Sequence, residues 1–379
     1  MSEASEKTGT PPEHITLFLC GDVMTGRGID QVMPHPGDPV LYESYVHSAK
    51  QYVELAEARN GPIPRPADFA YPWGDALEEM KRVVPDVRII NLETSVTTSD
   101  EYWLDKRIHY RMHPENVPCL TAAGIDCCVL ANNHVLDWGY QGLEETLQTL
   151  HDANLKTAGA GQNLKKAKQP AVMELPGKGR VVVFSFGMES SGIDSRWAAS
   201  AEGAGVNLLP DLSDKAIRKI REAVQTVKRA GDIVVASIHW GGNWGYAIPP
   251  EQTHFAHKLI DSAGVDIIHG HSSHHAKGIE IYKDKPILYG CGDFLTDYEG
   301  IAGQEKYRDD LGLMYFMRME PVSGKLVGLE MVPTQVKRFR LQRASEEDRL
   351  WLRNLLNREG KQFSTRVEPG KENNLLLGW

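Results

Sequence analysis

The chain has 379 residues, 41% of them hydrophobic and 25% charged, and carries a formal net charge of −9. Those totals suit a soluble globular protein, and the acidic balance argues against non-specific binding to nucleic acid or to an acidic membrane, with no basic run to reverse it. The five cysteines (Cys20, Cys119, Cys127, Cys128 and Cys291) lack framework spacing, and with a polar, acidic N-terminus and no segment approaching a membrane span they lead us to expect a cytoplasmic protein without membrane insertion.

Residues 1–13 read as a disordered lead-in to a domain over residues 14–334. Residues 14–20 form a buried strand that runs into Gly21-Asp22-Val23-Met24-Thr25-Gly26-Arg27-Gly28. A carboxylate just past a strand end, between glycines, is held rigidly and lets a ligand approach the backbone; Asp22 could equally cap the helix that follows. A proline-rich excursion over residues 33–72, with a helical patch at 45–60, reads as a lid-like insertion. A helix at 75–84 precedes a strand at 87–92 that delivers Asn91 and Glu93. His109, Arg111 and His113 then alternate as on a strand with one polar face, and Pro114 opens a helix.

A third buried strand, 125–131, ends in Asn132-Asn133-His134, with Asp137 close behind and a helix at 142–154. After a strand at 180–186, the Gly/Ser-rich residues 188–209 read as a second lid-like insertion. A helix at 213–230 leads to a strand at 233–238 that ends at His239-Trp240, and a helix at 249–263 leads to a strand at 266–268. That strand feeds His269, His271, His274 and His275, a cluster suited to binding a metal through neutral imidazole or to moving protons. Residues 279–332 alternate like hairpin strands, and residues 335–379 read as a C-terminal helix and polar tail packing on the domain.

Repeated β-α units followed by a run of strands predict a layered α/β fold with a parallel part completed by antiparallel strands. Asp22, Glu93, Asn133, His239 and His271 each follow a buried strand directly, which gathers them at one sheet edge as a single site. Such a donor set suits one divalent metal, Mn, Fe, Zn or Mg, and without metal the same groups could act as an acid/base pair. Of the nearby cations, Arg27 and Arg111 are the candidates to hold a substrate carboxylate or phosphate, while Lys106 and Lys277 read as solvated charges. Trp138, Trp240, Trp244 and Tyr246 flank the expected ligands and suggest a peptide-like or extended substrate, with no role for nucleic acid. Asp293, at another strand end, could orient one of the histidines.

Six segments, GDVMTGRG, NLETSVTT, YRMHPEN, LANNHVLDWG, SIHWGGNW and HGHSSHHAKGIEIYKDKPILYGCGDF, run in that order over residues 15–294. Together they resemble the bacterial CapA/PgsA family of capsule and poly-γ-glutamate synthesis proteins, which in fold resembles the calcineurin-like metallophosphoesterases. The resemblance implies a four-layer αββα sandwich with mixed sheets. It sets Asp22-Val23-Met24 against that superfamily's Asp-x-His motif, so a metal-binding histidine is replaced by a thioether, a poor ligand for hard ions. Glu93 then stands for a bridging aspartate, Asn133 and His134 for a ligand and a catalytic acid, and His239 for a further ligand. Gly270-His271-Ser272-Ser273-His274 stands for Gly-His-x-His with one extra residue. What this implies is one retained metal site (Glu93, Asn133, His239, His271) and a second (Asp22, His274) short of a ligand.

Three functions follow. One is metal-assisted hydrolysis or transfer on an anionic polymer or peptide, with His134 as acid. Another is metal-independent peptide epimerisation, with Asp22, Glu93, His271 and His274 supplying the acid/base pair. The third is a non-catalytic module that binds a polyanion.

Overall fold

The computed structural model describes residues 14–301 and 303–379; the segment 1–13, expected to be disordered, lies outside the described residues. The chain first lays down β1 (Ile15–Val23), β2 (Val87–Leu92), β3 (Cys127–Val129) and β4 (Lys156–Ala158), parallel to one another in that order. It then builds a second sheet from β5 (Ala171–Leu175), β6 (Gly179–Gly187), β7 (Ile233–His239), β8 (Ile267–His271), β9 (Ile279–Tyr282) and β10 (Lys285–Leu288), in the order β9-β10-β8-β7-β6-β5. From there it returns to the first sheet with β11 (Asp293–Leu295), β12 (Leu311–Glu320), β13 (Lys325–Lys337), β14 (Arg340–Arg343), β15 (Arg366–Pro369) and β16 (Leu375–Gly378). The first sheet runs β15-β16-β13-β12-β1-β2-β3-β4, with β11 on β1 and β14 on β13.

Strand periodicity sorts the side chains into layers, because successive residues point to opposite faces. Ile15, Leu17 and Leu19 of β1 pack against Val181, Val183, Ile233 and Val235 of the other sheet. Their neighbours Phe18 and Cys20 face the helices α1 (Arg27–Val32), α2 (Ala49–Asn60), α3 (Ala76–Val83), α4 (Pro118–Ala122) and α5 (Gly139–Asp152). A short α6 (Leu164–Ala167) follows β4. On the far side Val182, Val234 and Ala236 face α7 (Asp214–Val227) and α8 (Pro250–Ser262). The order is helix, sheet, sheet, helix: the four-layer αββα sandwich with mixed sheets. Cys127 and Cys128 point to opposite layers of it, and all five cysteines are free and buried. Each fully buried aliphatic side chain in the central layer contributes about 1.5–3 kcal/mol.

Several elements differ from the pattern read in the sequence. The helix expected from residue 45 starts at Ala49, where Ser48 and Gln51 form a reciprocal capping box. The polar-faced strand expected at His109, Arg111 and His113 is only Arg111–Met112, paired with Ser95–Val96; the His109 ring hydrogen-bonds the Trp103 carbonyl and His113 caps the next turn. The C-terminal region is not a tail. Leu352, Leu355 and Leu356 of α9 (Glu346–Gly360) close one end of the inter-sheet layer, and β15 and β16 extend the first sheet. The polar residues of that region alternate with Val367, Leu375 and Leu377, a pattern the expectation passed over. The two excursions are packed against the body: Asp38 and Glu43 are held by Arg111 and Arg27, and Trp197 is buried in the helix layer. Among the described residues no helix is long and apolar enough to cross a membrane.

One contact ties this architecture to the site. Where β1 ends beside β11, the Asp22 N–H donates to the Gly292 carbonyl at 2.9 Å, and a Cβ on Gly21 would lie 1.7 Å from that oxygen. No rotamer change relieves a clash with backbone. Gly21→Ala is therefore expected to destabilise the fold by about 3 kcal/mol or more, read as a lowered denaturation midpoint in urea.

Candidate active site

The carboxyl ends of the central strands of both sheets meet, as they do at ligand sites of α/β proteins. In the first sheet Asp22 is in register with Asn91 on one side and Asp293 on the other. Glu93 follows, its N–H bonded to the Val23 carbonyl at 2.9 Å. In the second sheet His239 is in register with His271. All of these side chains are buried.

Two sets of ligand-type atoms lie within 4.8 Å of one another: Asp22, His239 and His271 in one, Asp22, Glu93 and Asp293 in the other. Asp22 belongs to both. The set thus gains Asp293, which the sequence reading had cast only as an orienting group. Asn133, expected as a ligand, has its Oδ1 3.0 Å from His239 Nε2 at the edge of these sets.

Supporting groups fix the ring and carboxylate orientations. Asn132 donates to Asn91 at 3.0 Å and Asn91 to Asp22 Oδ1 at 2.7 Å. The Ser272 N–H reaches Asp22 Oδ2 at 3.3 Å. Ser237 Oγ lies 2.8 Å from His271 Nε2 and 3.0 Å from His269 Nδ1, and His269 Nε2 meets the Cys20 carbonyl at 2.7 Å. His269 is thus a brace, and His271 turns Nδ1 toward His239 Nδ1 at 2.7 Å.

The electrostatics follow from burial. Burial and then the adjacent Asp293 push the Asp22 carboxyl up to about 7. Glu93 is raised by burial and by Asp22 and Asp293, and its Oε2 has no hydrogen-bond partner. Burial holds His239 and His271 well below the ordinary imidazole range, reinforced by neighbouring histidines. Neutral imidazoles beside crowded carboxylates, one with an orphaned buried oxygen, are the donor set that a divalent ion satisfies. These residues fit the divalent metal that the sequence resemblance implies.

Next to this cluster lies His134. Its ring stacks on Tyr110 at 3.8 Å between centroids and its Nδ1 is 2.6 Å from Asp137 Oδ2, which leaves Nε2 for a substrate. His274 is not a bare ligand, since its Nδ1 is engaged by both Asp293 oxygens at 2.9 and 3.0 Å. Burial opposes its cation, but Asp293, Asp22 and Asp309 together outweigh that and raise its pKa. Trp244, half-buried, lies against His274 with ring centroids 5.1 Å apart.

The other expected substrate contacts are already spoken for. Arg27 is buried between Tyr52 and Tyr110 and paired with Glu43 and Asp297. Arg111 stacks on Trp138 and bonds Ser99, Asp38 and Asp100. Trp240 is buried and donates to the Tyr289 carbonyl. Lys106, read as a solvated charge, sits instead against His134 and Asp137. A cleft of about 550 Å³ is lined by Tyr298, Asp309, Arg59 and Lys337 among others, and the Tyr298 ring lies 5.7 Å from that of His274.

An αββα sandwich thus carries a buried cluster of carboxylates and imidazoles at its strand ends. The family model described as "Bacterial capsule synthesis protein PGA_cap" matches residues 16–298. The chain belongs to this family. It is 48% identical over 363 residues to the probable polyglutamine synthesis accessory protein of Mycobacterium tuberculosis, covering 96% of this chain and 95% of that protein. It is 29% identical over 305 residues to the PGA biosynthesis protein CapA of Bacillus subtilis, 80% of this chain and 68% of that one. To the capsule biosynthesis protein CapA of Bacillus anthracis it is 26% identical over 306 residues, 81% and 64% of the two chains.

Removing one member of a buried ion pair strands the others. Arg27→Met leaves Glu43 and Asp297 uncompensated, and the expected loss is about 3–5 kcal/mol of stability, measured by chemical denaturation. A purely substrate-binding arginine would leave stability unchanged.

Proposed function

We propose that the chain is a metal-dependent hydrolase or transferase acting on a phosphoryl or acyl bond of an anionic polymer, or of its precursor. The observation that carries this reading is the shared position of Asp22 in two overlapping ligand sets. Asp22, Glu93 and Asp293 would hold an ion on one side, and Asp22, His239 and His271 on the other. A divalent ion bound there supplies Lewis acidity toward a phosphoryl or carbonyl oxygen and acidifies water.

The protein's own groups do the rest. His134, fixed by Tyr110 and Asp137, offers Nε2 to the leaving oxygen. Asn91 and the Ser272 N–H keep Asp22 in place, and Trp244 forms an apolar wall beside His274. The overall charge of −9 also bears on the substrate. A polyanion approaching an acidic protein and a carboxylate-lined site meets repulsion unless cations are bound there. The names of the relatives, which refer to capsule, PGA and polyglutamine synthesis, support a polymer or its precursor as the substrate class.

Protein purified without chelator is expected to carry about one equivalent or more of Mn, Fe or Zn per chain, measured by elemental analysis. Asp22→Asn, which touches both sets, should remove all of it, and Asp293→Asn only part. A metal-free protein that still exchanges Cα hydrogen of a glutamyl peptide for deuterium would replace this reading with epimerisation. Retention of polyglutamate without turnover or metal would replace it with a binding module.

A further inference from the structure

A cavity of about 530 Å³ opens at the outer edge of the sandwich, bounded by the end of α5, by β4 and α6, and by the start of β5. That volume is within the range of ligand pockets. Its charged wall residues are Lys156 and Lys166, with the His151 ring beside them, and among the described residues no carboxylate lines it. The chain has 51 acidic and 42 basic residues, so a wall without acids runs against the overall balance. The cleft at Tyr298 differs, with Glu299, Glu305, Asp309 and Asp310 on its wall. Lys156 and Lys166 are exposed, and among the described residues neither is paired with a carboxylate. Asp152, next to His151 in the chain, accepts instead from the Gln148 amide at 2.7 Å.

The backbone supplies a second, independent feature. β4 is the outermost strand at this end of the first sheet. On its inner side the Lys156 N–H donates to the Asp126 carbonyl at 3.0 Å, and the Ala158 carbonyl accepts the Leu130 N–H at 2.9 Å. In a parallel ladder the residues that bond one neighbour alternate with residues that face the other side. The N–H and C=O of Thr157 therefore point outward, and Thr157 lines the cavity. An open edge takes up an extended peptide through main-chain hydrogen bonds. The walls select which peptide: the two lysines call for carboxylates, and Leu147 and Val172 suit the methylenes that carry them. A lysine on an edge strand also keeps copies of a chain apart, but that needs neither a cavity nor a second lysine from α6.

We propose that this cavity docks an extended acidic segment of a partner protein, which pairs with the Thr157 edge of β4 and sets its carboxylates on Lys156 and Lys166. An α-linked chain is the occupant because its peptide groups repeat every ~3.4 Å, the spacing a strand edge matches. A γ-linked polyglutamate has longer repeats and cannot follow the edge. The surface is distinct from the catalytic cluster, since none of Asp22, Glu93, His239, His271 and Asp293 lines it. Docking here therefore neither needs nor tests the hydrolase reading.

The probe is a fluorescein-labelled, α-linked hexaglutamate titrated with the full chain and followed by fluorescence polarisation. The wild type should bind it, and added salt should weaken the complex. Lys156→Gln combined with Lys166→Gln should weaken binding about 10-fold, while the corresponding pair of arginine substitutions should retain it. Both positions are exposed, so an unchanged urea midpoint is expected to show that the fold is intact. Hydrogen–deuterium exchange places the peptide: the Thr157 amide should exchange more slowly when hexaglutamate is present. No binding by the folded wild type, or binding that the double glutamine variant keeps, would overturn the proposal. Hexa-γ-glutamate that binds as tightly, with no protection of Thr157, would replace strand pairing with simple capture of an anionic polymer. Displacement by inorganic triphosphate at lower concentration than by unlabelled hexaglutamate would replace the peptide with a phosphate ligand.

Discussion

Three carboxylates buried at one sheet edge repel one another, and much of the surrounding structure answers that constraint. Asp22, Glu93 and Asp293 share an enclosed space in which full ionisation is opposed by burial and by each other. The protein offsets part of this with donors: the Asn91 amide and the Ser272 N–H on Asp22, and His274 on Asp293. Glu93 keeps one oxygen without any donor. A fold that spent its interior on packing alone would not keep such a group.

The backbone pays for this concentration of charge through glycine. Gly21 and Gly292 let two strand ends approach closely enough for Asp22 and Asp293 to stand side by side, and Gly292 has a φ of +81° that other residues adopt at a cost. The second sheet contributes His239, whose Nε2 meets Asn133 Oδ1, and His271, whose Nε2 meets Ser237 Oγ, with His269 bridging that hydroxyl to the Cys20 carbonyl. One sheet therefore supplies anionic oxygen and the other neutral nitrogen, and the ligand sets arise only where the two layers touch.

Much of this was legible in the sequence. The alternation of β1 and the apolar runs of β6, β7 and β8 announce strands, and the polar residue after each announces a shared edge. Asp22, Glu93, His239 and His271 were found that way and do converge. What the sequence hid depends on register between strands far apart in the chain. Asp293 reads as one more strand-end carboxylate until β11 is seen in parallel beside β1. Arg27 and Arg111 looked available because their partners, Glu43, Asp297 and Asp38, lie in loops whose paths no periodicity reveals. Lys106 was passed over for the same reason: its neighbours His134 and Asp137 come from another segment, and a lone lysine in a polar loop gives no sign of where it will fold. The C-terminal strands were missed because they are short and flanked by polar residues, although their apolar positions alternate.

The route of the chain through the two sheets has a consequence for biosynthesis. β1 sits inside the first sheet, between β2 and β12, yet β12 begins at Leu311. Until nearly three hundred further residues have been made, the strand that carries Asp22 has one edge with no partner. An apolar strand edge left open is a template for pairing with other chains, and long-range pairing of this kind is slow to form. A ribosome-bound nascent chain of this protein is thus an aggregation hazard for most of its synthesis, and is a natural client for chaperones that shield β-edges until the last fifth of the chain emerges.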